Sequence, residues 1–410
     1  MFANGAVVCI LWPLAALLVV SNASAGEFSG FIAAETRFFT ESSGFPEQRG
    51  SVWSPSGVAQ PEFRQEFNEG RDRFTAIPFL RLDANQSSRS HFDVREFNIF
   101  HQGSNWDFRF GLGKVFWGVA ESRHLIDIVN QTDLVENIDE EDKLGQPMAN
   151  LNFSGDFGNL SLFMLPGFRE RTFIGDRDRL RFQLPVDDKH SVYESSLEQW
   201  HVDFAGRWNR TFGDWDVGVA HFWGTGREPR LVPQFPRGQG FPPDRVVPYY
   251  DIINQTSLDV QGAVGNWLFK LEAMTRGGQG QRFAAAVAGL EYTFYGVLES
   301  SVDVGVLAEY LYDGRDRSAP PTPFDHDVFV GTRLNFNDEQ STELLIGGVI
   351  DQKTQATLLN VEASRRLGDN WKIEVEGRFF ENVPSSRFTD VALYGLRQDD
   401  YVQVSVAWFF

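Results

Sequence analysis

"DDYVQVSVAWFF" (Asp399–Phe410) closes the sequence. Val402, Val404, Val406, Trp408 and Phe410 share one side of an extended chain, and Gln403, Ser405 and Ala407 share the other. Side chains of a strand alternate between faces, so this period of two with one apolar face predicts a β-strand. The same pattern recurs upstream. Trp371, Ile373, Val375, Gly377 and Phe379 alternate with Lys372, Glu374, Glu376 and Arg378, and Trp267, Phe269, Leu271 and Ala273 with Lys270, Glu272 and Arg276. Val302, Val304, Val306, Ala308, Tyr310 and Tyr312 alternate with Asp303, Gly305 and Glu309. In a water-soluble sheet the polar face meets bulk solvent. Here the polar faces carry both charge signs and the apolar faces end in Trp, Tyr or Phe, as expected of a lipid-facing band with aromatic girdles around a polar lumen. An open sheet edge in lipid would strand backbone N–H and C=O groups, so the sheet must close. The expected fold is all-β, a transmembrane antiparallel β-barrel.

The connections set the topology. Short polar turns at 69–72, 102–105, 155–158, 212–214, 264–266, 296–299, 337–340 and 368–370 alternate with longer connections near 40–58, 85–90, 117–147, 167–196, 225–250, 278–282, 313–325, 352–355 and 382–398. That alternation fits short periplasmic turns and long extracellular loops. The count is about eighteen strands with both termini on the short-turn side, or sixteen if Pro61–Asn68 is not a strand. Lys114 falls on the apolar face of its segment, which implies a bulge or a rim position. The outer stretches "GDRDR" (175–179), "FPRGQGFPPDR" (235–245) and "DGRDRSAPPTP" (313–323) have the composition of solvated loops.

Residues 1–25 read as a cleaved export signal: an apolar run from Ala6 to Val20, then Ala23-Ser24-Ala25 as an A-x-A cleavage site. An uncleaved anchor is the competing reading, because the first residues lack Lys and Arg. The expected mature chain is then a single barrel, residues 26–410. Cys9, the one cysteine, lies within the signal, which leaves neither a disulfide framework nor a thiolate metal site. The net charge of −19 speaks against nucleic acid as a partner, since nothing would neutralise its phosphates.

The terminal strand, with Trp408 and Phe410 on its apolar face, resembles the C-terminal assembly signal of Gram-negative outer-membrane barrels. That resemblance implies recognition by the barrel assembly machinery and contact with outer-membrane lipid and lipopolysaccharide. A second resemblance rests on "GLGKVFWG". Gly113, Lys114, Trp117, Gly118 and Glu121, a G-[basic]-x-x-x-W-G strand end before an acidic insert, resemble a group of outer-membrane porin-like barrels whose function is unassigned. In porins an early long loop folds into the lumen and narrows it, and the resemblance implies that role for 117–147.

The residues agree with it. Leu125, Ile126, Ile128, Val129, Leu134, Val135 and Ile138 are too many apolar side chains for a loop surrounded by water, and the inner barrel wall is the surface available to them. Glu121, Arg123, His124, Asp127, Asn130 and Asp133 are then expected to point into the remaining channel as a pore constriction. An extracellular loop capping the rim is the alternative. Lumen charges are expected at Arg37, Arg81, Arg95, Arg109, Arg207, Arg276, Arg333 and Arg378, opposed by Glu272, Asp303, Glu309 and Glu374. Facing rows of this kind set a transverse field across a pore, although structural ion pairing would produce the same residues.

"ENIDEED" (136–142) has carboxylates suited to a hard cation but neither the spacing nor the glycine of an EF-hand, so a solvated acidic run is expected there. No cofactor, metal site or catalytic residue is assigned. His124 beside Glu121 is the best acid–base pair, with Ser122 too near in sequence to establish a nucleophile geometry. The function expected is passive diffusion of small polar solutes. A non-conducting plugged barrel for envelope organisation or export, and a barrel hydrolase, are the alternatives. Monomer and homotrimer are both open.

Overall fold

The computed structural model describes residues 26–235, 242–384 and 393–410. The expected export signal and most of the 235–245 stretch lie outside the described residues. In chain order the first strands are β1 (Glu27–Phe39), β2 (Trp53–Phe67), β3 (Asp72–Asp83), β4 (His91–Gln102), β5 (Trp106–Gly113), β6 (Gln146–Gly155) and β7 (Gly158–Pro166). Then come β8 (Val192–Tyr193), β9 (Val202–Phe212), β10 (Trp215–Thr225), β11 (Arg230–Gln234), β12 (Arg245–Tyr250), β13 (Ile252–Val264) and β14 (Trp267–Gly278). The rest are β15 (Gly280–Phe294), β16 (Asp303–Asp313), β17 (His326–Asn335), β18 (Glu343–Asp351), β19 (Thr357–Leu367), β20 (Trp371–Glu381) and β21 (Tyr401–Phe409).

Eighteen of these form one sheet, each pairing antiparallel with its neighbours, while β8, β11 and β12 make a small separate sheet in the outer connections. The large sheet closes where β1 meets β21, with Phe31 opposite Phe409 and Arg37 opposite Gln403. Closure satisfies every edge, which is what lets a sheet cross lipid. The strand count is therefore eighteen rather than sixteen. The doubtful stretch from Pro61 is the second half of β2, which starts at Trp53, so the first outer connection is shorter than expected. Short turns lie where the polar doublets fall, held by left-handed residues such as Asn68 (φ 52°), Gly213 (φ 61°) and Gly368 (φ 63°).

The two faces of the sheet differ as the alternation requires. Ile32, Phe38, Leu82, Phe92, Phe97 and Phe110 are more than half exposed or nearly so, on the outer face. Near the short turns that face carries an aromatic belt, with Trp267 against Tyr292 (4.6 Å between centroids), Trp215 against Phe269 (5.8 Å) and Trp408 against Phe410 (5.2 Å). Their neighbours in register, Glu35, Arg37, Arg81, Glu272 and Glu309, are buried on the inner face. Among the described residues the register shifts at Arg276/Gly278 between β14 and β15, and at Ile77/Pro78 between β3 and β4, where proline has no N–H to donate. Past it, Asp93 and Arg95 are both buried, as is Asn98 three residues on.

β5 ends at Gly113 and β6 begins at Gln146, so Lys114 has left the strand and breaks no alternation. Residues 114–145 make the connection.

Candidate pore lining

The connection 114–145 leaves β5 with no strand partner for its backbone, and buried N–H groups need acceptors. Inner-face carboxylates supply them. Glu272 on β14, fully buried, accepts the N–H of Val119 (2.7 Å), Ala120 (2.9 Å) and Ile126 (3.3 Å). Glu309 on β16 accepts the N–H of Glu121 and Ser122, both at 2.8 Å, and the Ser122 hydroxyl at 2.5 Å. Between these anchors Trp117, Leu125, Ile126, Ile128 and Val129 pack into one cluster with Phe163, Leu165, Phe222, Ile253, Met274, Val287 and Leu307. These wall residues occupy inner-face positions, where sequence reasoning expects polar side chains. The signal was visible in strands apolar on both faces, such as "RFAAAVAGL" in β15.

The second half of the connection is held on the opposite wall by cations. Arg81 on β3 donates to both Glu136 oxygens (2.7–2.9 Å) and to Glu35 (2.7 Å), while Arg37 on β1 donates to the Glu136 carbonyl (2.7 Å). Arg95 on β4 reaches Asp133 at 2.7 Å, and Asn137 donates to Glu376 on β20. The run 136–142 is divided: Glu136 is 5% exposed, because basic side chains of the wall neutralise it, while Glu140, Glu141 and Asp142 are exposed as expected. His91, Asp133 and Glu136 form the one group of three metal-type donors among the described residues, but Arg95 and Arg81 already occupy the two carboxylates.

The residues expected to face the channel divide into two sets. Glu121 is paired with Lys270 (3.2 Å) and Arg333 (2.7 Å), and Arg123 with Asp313 (3.2 Å). His124 bonds Glu141 (2.7 Å) and sits 3.8 Å from Glu272; burial works against its charge, but these carboxylates raise its pKa to about 10. These three border cavities. Asp127 and Asn130 also border the long-loop cavity, while their polar atoms hold the connection together, and Asp133 instead bonds Arg95 and Thr172. Asn130, 1% exposed, ties Val115, Gly113 and Leu144 together, Asp127 accepts from Trp117 N–H and pairs with Lys143, and Asp133 is fully buried. A turn deprived of regular hydrogen bonds uses short polar side chains to close itself. Ser122 and His124 do not approach as nucleophile and base, since the hydroxyl donates to Glu309 and the ring binds Glu141.

The predicted lumen charges all lie on inner-face positions, yet most are consumed by partners. Arg207 binds Asp259 bidentately (2.6 and 2.8 Å), room for which comes from Gly218, where a Cβ would stand 2.5 Å from that carboxylate. Arg276 donates to Gln255 (2.9 Å) and Glu228 (3.1 Å), and Arg109 to the Lys114 carbonyl (3.3 Å). Asp303 belongs to the short-turn rim, where it accepts from Gly296 N–H (2.9 Å) and Asn337 (2.8 Å). Glu374 remains half-exposed beside Lys372 (2.7 Å).

Two of the outer stretches expected to be solvated are packed in part, with Asp176, Arg177, Asp316 and Arg317 still exposed. Asp178 and Arg179 are 1% and 2% exposed; Asp178 accepts from Ser88 and Arg179 binds Asp399. Arg315 is bidentate to Asp313 and reaches Glu228 at 2.8 Å. Loop arginines with buried carboxylates make these connections a second layer over 114–145.

Two cavities among the described residues adjoin the connection. One, toward the long loops, is bordered by Arg123, Arg171, Phe173, Arg227, Glu228 and Pro320–Phe324. The other, toward the short turns, is bordered by Glu121, Arg333, Glu343, Glu362, Lys372 and Glu374. Asp139 and Arg378, 3.0 Å apart, border both. Burial and the Glu376 charge push the Asp139 carboxyl up to about 7, against the pull of Arg378.

No protein-family model and no curated protein matches this sequence. Solved structures do match. OccD3 (OpdP) of Pseudomonas aeruginosa superposes with a TM-score of 0.51 at 10% identity, over 93% of this chain and 91% of that one. A BenF-like porin from Pseudomonas fluorescens Pf-5 gives 0.52 at 8% identity, over 95% and 98%. The chain has the fold of the outer-membrane porins. In this porin fold the likeness is spread over the whole barrel, and it does not bear on the strand-end motif at Gly113–Glu121.

Proposed function

We propose that this barrel is a non-enzymatic channel for passive diffusion of small hydrophilic solutes, with 117–147 as its constriction. The observation that carries the reading is the meeting of two cavities, from opposite ends of the barrel, at Asp139 and Arg378. Everywhere else the connection is seated on the wall, through Glu272 and Glu309 on one side and Arg81, Arg37 and Arg95 on the other. Passage is then confined to the strip along β18–β20, with Glu121, Arg123 and His124 at its edge. The terminal strand, bearing Trp408 and Phe410, serves as the assembly signal, and the exposed outer face meets outer-membrane lipid and lipopolysaccharide.

Single-channel recording in planar bilayers tests this. Folded protein should conduct, and replacing 119–144 by a short Gly-Ser turn should raise conductance several-fold. The anchoring on both walls favours one rival, a plugged non-conducting barrel; silence from folded wild-type protein with current from the deletion would establish it instead.

A further inference from the structure

The two cavities carry opposite charge. Among the described residues, the long-loop cavity is bordered by seven Arg and Lys against four carboxylates, a net of +3 before the protonated His124 is added. The short-turn cavity is bordered by eight carboxylates against three cations, a net of −5. The sign changes at Asp139 and Arg378, which border both. The rows of charge expected to face one another across the pore are largely spent on holding 114–145. Partners such as Asp313 and Asp203 in the outer half, and Arg81 and Lys270 in the inner, stand outside the two linings, so what differs along the axis is the sign of the groups that face open space.

We propose that the lumen is an axial bipolar pore, an anion-selective outer cavity in series with a cation-selective inner one, and that it rectifies current. This rests on the channel reading above. Low-dielectric walls lined by one sign of charge concentrate the counter-ion, so anions dominate the outer cavity and cations the inner. With the short-turn side positive, cations enter through the acidic cavity while anions enter through the basic one. Both arrive at the junction and fill it. The opposite bias draws both species away and empties it. The solute matched to such a field carries an ammonium and a carboxylate at opposite ends, its carboxylate held in the outer cavity while its ammonium reaches the inner.

The test is the current–voltage curve of single channels in KCl. Orientation is fixed by an Asp369→Cys variant on a short turn, labelled by a charged thiol reagent from one chamber only; the expected mature chain has no other thiol. Conductance should be larger with the short-turn side positive, by about two-fold in 0.1 M KCl, where the Debye length is about 10 Å, and the ratio should approach one at 1 M, where it is about 3 Å. The E343Q/E362Q/E374Q variant, whose folding is checked by heat-modifiable migration, should conduct symmetrically at both concentrations. In liposome swelling, 6-aminohexanoate should enter faster than hexanoate or hexylammonium. Symmetric wild-type current, rectification of the opposite sign, or rectification retained in the triple variant would overturn the axial pore and leave the channel reading standing. Absence of any current from folded protein would remove both. Equal swelling rates would overturn the solute assignment.

Discussion

The wall of this barrel has two halves that use the same residue types differently. Glu272 and Glu309, on β14 and β16, are buried and accept backbone N–H groups of the inserted connection. Glu362 and Glu374, on β19 and β20, are about half exposed and border the short-turn cavity. On both strand sets the carboxylates alternate with apolar outward residues. A carboxylate on an inner face therefore becomes a structural anchor or a pore charge according to what lies over it, and its own strand does not distinguish the two.

Glutamate-to-alanine substitutions break that comparison most directly. Glu272→Ala strips three buried N–H groups of their acceptor, and should destabilise the docked connection by about 3–5 kcal/mol, the cost of removing one partner from a buried charged network. The readout is a lowered thermal transition with noisy, enlarged single-channel current. Glu362→Gln, whose partner Arg378 keeps Asp139 and Glu376, should cost less than about 1 kcal/mol, because a half-exposed pair is well screened. A large stability loss in this variant would erase the distinction between the halves.

Acidity sharpens it. Asp139 has its pKa raised to about 7, with burial as the first cause. A carboxyl raised in the folded state contributes stability below its ordinary pKa and loses it as pH climbs through the raised value. The connection should thus be more firmly docked at pH 5 than at pH 8. Over the same interval Asp139 gains its charge at the junction, so reversal potentials should shift toward cations as pH rises, with Asp139→Asn flattening the shift. His124, held protonated to about pH 10, contributes no transition there. The smallest effect is expected of Asp303→Asn on the short-turn rim, which should leave conductance unchanged since its bonds are to Gly296 and Asn337 on that rim.

The strands, their inward and outward faces and the aromatic belt were legible because each rests on a local period of two, which any stretch such as Trp371–Phe379 reports by itself. So was the need of Leu125, Ile126 and Val129 for a wall. The roles of Asp127, Asn130 and Asp133 were not legible: a polar side chain in an irregular segment looks the same whether it faces water or its own backbone. Nor could the sequence show that Arg179 is buried on Asp399, or that Arg315 reaches Glu228 as well as its near neighbour Asp313, since Asp399 and Glu228 lie far along the chain.

By itself, then, the sequence determined a closed barrel with one connection too apolar for solvent, because backbone pairing and side-chain alternation are settled between near neighbours. Only the tertiary structure decided which charges are consumed in seating that connection and which stay beside open space. Those pairings join residues 38 positions apart in Arg95 and Asp133 and 188 apart in Glu121 and Glu309, through the lumen that closure creates.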